Sequence, residues 1–454
     1  MPTDLEILKN IYNAFDPFEA LLAGDPVYVN CNEVRGEENI LVDVGRQITY
    51  TDRITHQLYT GHRGAGKSTE LLRLKADLEG QDYRVVYFAA EEADIDPEDA
   101  QYTDILLACT RNLLKELKGN TTPIMEWLRS RGTELSDALQ SNVSLGEDIT
   151  VELFSKLTTT LKVSPTARAK IRAMVEPHTP SLIEALNNFI KEAMSKTPQK
   201  ATDRLILIVD SLDRIPQIVR ENKPSNHEQI FVDRSEQLKM LGCHVSYTVP
   251  ISLVYSGRSS DLRAIYDGEI EILPMVMVRD QGGNVCEPGL KAMHDLVRQR
   301  VFHAEGVDSS KQLVGDIFDT QETLDQLCLM SGGHMRNLMQ MAQEAIKQTT
   351  RLPIGKRAVR LAITKARNTY RNTVYDKQWP LLAQASQSKE ILNNEAYREL
   401  LFNRCILEYR YIDDEGERIS WRDVHPLLRG VKEFQAALAK QVAGTDNDEA
   451  RQSS

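Results

Sequence analysis

Along this chain, short runs of β-branched and aromatic residues alternate with longer stretches of helical spacing, and the alternation gives way to helices near residue 281. Extended runs occur at Gln57–Thr60, Tyr83–Phe88, Arg204–Asp210, His244–Pro250 and Ile270–Val278, which predicts five strands. Arg204–Asp210 is apolar almost without interruption, as suits a strand buried on both faces of a parallel sheet. Pro274 places the last run at a sheet edge. Helical periodicity separates the strands at Ser68–Leu78, at Tyr102–Leu117 (with Ile105, Leu106, Ala108, Leu113 and Leu114 on one face) and at Ser181–Met194. Past Gln281-Gly282-Gly283-Asn284, which marks a domain boundary, amphipathic helices follow at Leu290–Phe302, Phe318–Cys328, Met335–Lys347 and Asn394–Asn403. Two further strands, Cys405–Tyr411 and Glu417–Val424, flank the turn Asp413–Gly416.

Between about 119 and 178 the alternation is interrupted by helix-prone sequence broken at Gly132, Gly146 and Pro165. This predicts an inserted helical arm that either docks a partner or covers the domain. The acidic stretch Glu91–Asp99 reads as a loop, and the first 56 residues as a preamble with turns at Phe15–Phe18 and Gly24–Pro26, an extended piece at Tyr28–Asn30 and a helix at Glu38–Ile48. Residues 441–454 form a polar tail expected to be disordered.

The formal net charge of −11 argues against a protein that coats nucleic acid over its whole surface and leaves room for a local basic patch. Six cysteines, Cys31, Cys109, Cys243, Cys286, Cys328 and Cys405, show no C-x-x-C pair, and the nine histidines show no metal-ligand spacing. No apolar run approaches the roughly 18 residues of a membrane helix, and the first residues lack a basic, apolar signal segment. The expectation is a soluble, cytoplasmic protein with reduced thiols and no membrane partner.

The chemistry concentrates in Gly61-His62-Arg63-Gly64-Ala65-Gly66-Lys67-Ser68-Thr69. A strand leads into it and a helix leaves it, and its spacing fits the G-x-x-x-x-G-K-[ST] phosphate-binding loop. Glycines let backbone N–H groups close around phosphate oxygens without an intervening Cβ. Lys67 supplies a charge for the β- and γ-phosphates, Ser68 a hydroxyl ligand for Mg²⁺, and the helix behind them points its N-terminus at the anion. Far downstream, the apolar strand ends in Asp210-Ser211-Leu212-Asp213. In phosphate-loop ATPases such a terminal Asp holds the Mg²⁺ shell, the role expected of Asp210, and Asp213 is placed to orient water.

A phosphate loop followed by an apolar strand and Asp-x-x-Asp resembles the STAND group of ATPases and their AAA+ relatives, including the origin-recognition ATPases. The wording Asp210-Ser211-Leu212-Asp213-Arg214 is also similar to that of KAP ATPases, which usually carry membrane spans. The resemblance implies an α/β fold: a P-loop NTPase parallel sheet with a helical insertion, followed by a helical lid and a C-terminal winged-helix domain. The boundaries expected are 57–280 for the ATPase core, 285–347 for the lid and 348–440 for a connecting basic helix and the winged helix, with residues 1–56 packing on the nucleotide site. It further implies ATP and Mg²⁺ as cofactors and hydrolysis of ATP to ADP and phosphate. Many AAA+ enzymes carry Glu directly after the strand's Asp; Ser211 stands there in this chain, so slow turnover is expected.

Other roles come from the same resemblance. In Ser331-Gly332-Gly333-His334-Met335-Arg336, Arg336 matches the lid arginine that touches the γ-phosphate. Tyr28 and Val29 are candidates for the base-binding wall or for packing on the first strand. Thr248, with Ser252 as a rival, is either a γ-phosphate sensor or simply a strand residue. Arg258 is either a finger reaching a neighbouring subunit's nucleotide or a solvated side chain, and His425 either a nucleotide contact or structural. Residues 347–377 are locally basic, with Lys347, Arg351, Lys356, Arg357, Arg360, Lys365, Arg367, Arg371 and Lys377 against Asp376 alone. They form a nucleic-acid footprint or the solvated face of a connecting helix. Two functions fit. One is a nucleotide switch controlling homo-oligomerisation or a separate effector, as in bacterial stress or phage-defence proteins of this kind. The other is a DNA-associated AAA+ ATPase using 347–377.

Overall fold

The computed structural model describes residues 3–90, 94–139, 150–197, 202–219 and 224–441. Glu91–Ala93, Gly146 and the tail beyond 441 lie outside the described residues. The chain divides into two compact units, one of Ile40–Thr60 and Glu70–Ile272, the other of Met1–Asn39, Gly61–Thr69 and Leu273–Ser454. We call them the sheet unit and the loop unit.

The sheet carries β1 (His56–Gly61), β2 (Arg84–Ala89), β3 (Leu205–Asp210), β4 (His244–Thr248) and β5 (Glu271–Leu273) in the spatial order β2-β3-β4-β1-β5. The ladders β2–β3, β3–β4 and β4–β1 are parallel, as expected of strands separated by long helical connections. Every residue of β1, β3 and β4 is buried, which accounts for the uninterrupted apolar run in β3. The three strands end at one edge of the sheet, where Thr60, Asp210 and Thr248 lie. The last strand is at the sheet edge but stops after three residues. Pro274 has no N–H to give; past it, Met275 N donates to Glu408 O (2.9 Å) and Met277 N to Val34 O (3.0 Å). The helix expected at Glu38–Ile48 is instead a π turn, Leu41–Gly45, followed by a single α turn, Arg46–Thr49.

The insertion forms helices Thr122–Arg129, Gly132–Leu139, Thr150–Val163 and Pro165–Val175. Their Ile124, Leu128, Phe154, Leu157 and Ile171 join one apolar cluster with Leu207 and Val245 of the sheet. The insertion therefore covers the domain, and its burial accounts for its apolar positions. The acidic stretch before it anchors it: Arg168 bridges Asp96 (2.6 Å) and Asp99 (2.8 Å), and Arg172 reaches Asp104 (2.5 Å).

In the loop unit, helix Asp4–Ala14 starts at a Thr3 capping box. The lid helices are Glu287–Phe302, Gln321–Met330 and Met335–Lys347. The second begins at Gln321 because Thr320 Oγ1 caps it by accepting from Thr323 N (3.3 Å), while Phe318 is buried in short bridges to Val314 and Ile354. Helices Lys356–Arg371, Trp379–Ser388 and Glu395–Phe402 precede the antiparallel hairpin β6 (Ile406–Ile412) and β7 (Arg418–Val424), in winged-helix order. Among the described residues, no helix is long and apolar enough to cross a membrane.

Candidate phosphate-loop site

Five consecutive carbonyls of the loop each accept a hydrogen bond. Lys67, nearly fully buried, turns its Nζ back onto Gly61 O (2.8 Å) and His62 O (3.0 Å). His334 Nε2 donates to Arg63 O (2.9 Å), Arg336 N to Gly64 O (3.2 Å) and Arg35 Nη2 to Ala65 O (2.7 Å). Because carbonyl and amide of a trans peptide point opposite ways, each braced oxygen turns its peptide's N–H to the other side, the arrangement of an anion-binding nest. Gly64 and Gly66 hold the left-handed turn at φ +90° and +107°. A Cβ on Gly66 would meet nothing within 4 Å, whereas one on Gly64 would lie 2.7 Å from both Arg336 Cβ and His334 Cε1. The lid thus packs directly on the loop's apex. Ser68 is half-buried in the helix's first turn, and Thr69 Oγ1 accepts from Leu21 N (3.2 Å). Tyr28 and Val29, both half-buried, lie in the same unit just after a turn closed by Tyr28 N to Asp25 O (3.0 Å).

The structure places Arg336 against the loop at Gly64. Its Nε donates to Pro17 O (3.1 Å), and its guanidinium lies 5.5 Å from the Phe18 ring centroid, so the N-terminal segment shares it. Two residues earlier, His334 caps the lid helix: its Nδ1 accepts from Asn337 N (3.0 Å) while Nε2 gives its proton to Arg63 O. Those two bonds fix a neutral ring. His62 is also neutral, because its Nε2 accepts from Glu408 N of β6 (3.0 Å). His425 accepts from Leu427 N through Nδ1 (3.2 Å) and stacks on Tyr370 with ring centroids 4.4 Å apart. Its Nε2 must then carry the proton, so the Asn337 side-chain atom 2.7 Å away is the amide oxygen; the Tyr370 hydroxyl, also 2.7 Å from that amide group, donates to it. His425 is therefore a structural link between lid and hairpin. Burial above all, then the Lys67 and Arg404 charges, push His62 down to about 3. Burial, Arg404 and His62 take His425 down to about 3, and burial with Arg404 sets His334 well below the usual range.

In the sheet unit, Asp210 is buried at the end of β3 and accepts from Tyr87 Oη (2.8 Å) and from Ser211 N (2.6 Å). Ser211, where a Glu was absent, takes a left-handed backbone (φ +69°). Thr248 holds the turn that follows: its Oγ1 accepts from Leu212 N (3.0 Å) and donates to Val209 O (3.4 Å). Asp213 is buried one residue beyond. Ser252 is buried in the same unit. Arg258 pairs with Asp233 (2.5 Å) and Asp261 (3.0 Å) of its own chain, which accounts for its presence without a neighbouring subunit.

The basic stretch is partly matched by acid. Lys365 and Lys347 reach Glu344 (2.8 and 3.9 Å), Lys356 reaches Glu322 (3.4 Å) and Arg371 pairs with Glu433. Arg351, Arg357, Arg360 and Lys377 are exposed without an ion pair among the described residues.

Sequence reasoning missed His334, Asn337, Tyr87 and the bracing role of Thr248. The one signal for His334 was its place directly before the lid helix, where a side-chain acceptor caps the first amides.

No protein-family model and no curated protein matches the sequence. Solved structures similar to it include Cdc6p from Pyrobaculum aerophilum (TM-score 0.40, 10% identity, covering 94% of this chain and 98% of that one). The Aeropyrum pernix ORC2 protein in ADPNP–ADP complexes gives TM-score 0.40 and 10% identity over 95% and 98% of the two chains. The Walker-type ATPase PABY2304 of Pyrococcus abyssi gives 0.40 and 9% over 91% and 99%. Likenesses this distant leave the fold and the site to stand on the chain's own geometry.

Proposed function

We propose that this chain is an ATP-binding switch of the STAND/AAA+ kind, with slow hydrolysis, whose lid and hairpin domain report the state of the phosphate loop to a second copy or a separate effector. What supports this reading most is the bracing of the loop: Arg35, His334 and Arg336 hold its carbonyls and Glu408 holds His62. A nucleotide that reorders the loop would act on the preamble, lid and hairpin at once. The loop's chemistry fits the ligand: glycines in left-handed backbone, open space beside Gly66, and a lysine positioned on the loop.

The motif roles follow in that reading. Gly61, Gly64, Gly66 and Lys67 bind the phosphates, and Arg336 reads the last of them. Ser68 offers a hydroxyl and Asp210 a carboxylate for Mg²⁺, which when bound neutralises charge on the phosphates. Asp213 orients water, and Ser211 in place of a carboxylate base keeps turnover slow. In a titration with a fluorescent ATP analogue, Lys67→Ala should weaken binding by about 100-fold or more. Gel filtration with a non-hydrolysable analogue should show a change in size or shape. Unaltered binding by Lys67→Ala sinks the nucleotide reading, and an unaltered elution profile sinks the switch.

A second reading, a DNA-associated ATPase, is favoured by the unpaired Arg351, Arg357, Arg360 and Lys377. The ion pairs of their neighbours limit the footprint. A salt-titrated DNA-binding assay tests it, and no binding at low salt excludes it.

A further inference from the structure

We infer that the acidic tip of the β6–β7 hairpin docks on the basic outer face of helix Lys356–Arg371 in a second copy of this chain. The inference rests on the switch reading for its purpose, because it names the surface through which lid and hairpin engage another copy; the contact itself depends on charge. The tip is the turn Asp413-Asp414-Glu415-Gly416-Glu417. Asp413 shapes it, its Oδ1 accepting from Glu415 N (3.0 Å) and Glu417 N (2.8 Å), and Gly416 takes the left-handed position (φ +82°). Turn geometry asks for those two residues and for no other acid. Asp414, Glu415 and Glu417 are nonetheless exposed there, and their carboxylates have no ion pair among the described residues.

The helix buries Ala358, Val359, Ala362 and Ile363. Helical spacing then puts Arg357, Arg360 and Leu361 together on its outer side, where both arginines are exposed and Leu361 is 44% exposed. The first turn carries no acid, so these cations oppose the helix dipole and contribute nothing to forming the helix. Glu322 offsets Lys356 (3.4 Å), whereas Arg357 and Arg360 have no ion pair among the described residues. A nucleic-acid backbone on this face would find little support from the hairpin domain, whose tip is acidic and whose preceding helix sets Glu395 and Glu399 against Arg398. The chain itself holds the complement: free carboxylates on one surface, free guanidiniums around an apolar side chain on another. Within one copy no ion pair joins the two segments among the described residues. Because the two surfaces differ, one copy's tip meets the next copy's helix, and the contact can repeat from copy to copy. Exposed ion pairs are individually weak and screened by salt, so such an association is readily reversed.

The test is sedimentation velocity on the full chain over a range of concentrations, at about 50 mM and about 500 mM salt, with and without a non-hydrolysable ATP analogue. Wild type should self-associate at low salt and dissociate at high salt. A tip variant, Asp414→Lys with Glu415→Lys, and a helix variant, Arg357→Glu with Arg360→Glu, should each weaken self-association about 10-fold or more. An equal mixture of the two should associate again, to within about 3-fold of wild type, because every surface then meets its complement on the other variant. That recovery excludes misfolding as the cause of either loss, and thermal melting checks each fold directly. Wild type that stays monomeric at low salt, with and without the analogue, overturns the contact. So does association that is unchanged in either variant, or that the mixture does not recover. Monomeric wild type retained by duplex DNA, with retention lost in the helix variant, assigns the face to nucleic acid and overturns the contact as well. Nucleotide binding is read separately by the fluorescent-analogue titration: failure there removes the switch, whereas failure here removes only its docking surface.

Discussion

In the loop unit, the carbonyls from Gly61 to Ala65 are held largely by residues remote in the chain, Arg35, His334 and Arg336. In the sheet unit, Asp210 is held by Tyr87 on the adjacent strand and by its own Ser211 amide, and the turn after it by Thr248 of the next strand. The strand end is fixed by the sheet that carries it. The loop takes its bracing from three other parts of its unit. The physical lesson is that a strand's C-terminal carboxylate inherits rigidity from its ladder, while a glycine-rich turn has to borrow it.

This difference can be tested by perturbing each side. The largest effect is expected from Asp210→Asn, which keeps the shape and the Tyr87 contact but removes the carboxylate that the proposed reading assigns to Mg²⁺. Phosphate release with Mg²⁺ should fall about 1000-fold with the melting temperature little changed. A rate within a few-fold of wild type would remove Asp210 from the metal shell. Gly64→Ala comes next, because its Cβ would meet Arg336 and His334 at 2.7 Å from a left-handed backbone. It should cost about 3 kcal/mol in denaturant unfolding, clearly more than Gly66→Ala, which strains the backbone alone. Equal costs for the two would show that the lid does not press on the loop.

Acid should weaken the bracing by a smaller step. His62 and His425 sit at about 3 and burial sets His334 well below the usual range, against about 6.5 unfolded. The unfolded chain takes up protons below about pH 6.5 and the folded rings do not, so their stabilisation is complete above that pH and is lost as pH falls. Each ring contributes up to about 1.4 kcal/mol per pH unit. The sheet unit adds to this, since burial also takes His56 and His227 down to about 4 and lowers His244. Replacing His62 with Gln should reduce the slope of unfolding free energy between pH 6.5 and 5 by one proton's share; an unchanged slope would mean that His62 already titrates in the folded state. Thr248→Val should have the smallest effect, about 1 kcal/mol in melting, from the Leu212 amide left without its acceptor. No change would mean that the turn is held without it.

Much of the fold was legible because it rests on local pattern. The buried strand Leu205–Asp210, the phosphate loop and the Met335–Lys347 helix all follow from runs and spacing in adjacent residues. The shortened β5 was half-legible: Pro274 marked an edge but not that Glu408 and Val34 would take over its backbone bonds. The bracing of the loop was not legible. His334 and Glu408 meet the loop through tertiary packing, and no period in the sequence records which backbone oxygen a distant histidine will find. Thr248 is a strand residue whose contacts no pattern foretold. Its position suggested either a ligand sensor or simply a strand residue, and its hydroxyl bonds Leu212 and Val209.

The separation between the loop and its braces also matters while the chain is being made. Residues 61–69 leave the ribosome early, whereas His334, Arg336 and Glu408 follow on the order of tens of seconds later at ordinary elongation rates. The strands and insertion that hold Asp210 are complete by residue 272. A nascent or prematurely terminated chain therefore presents the glycine turn with Arg35 and Lys67 but without His334, Arg336 and Glu408. The braced form of the loop is a late acquisition, withheld until the C-terminal third has been synthesised.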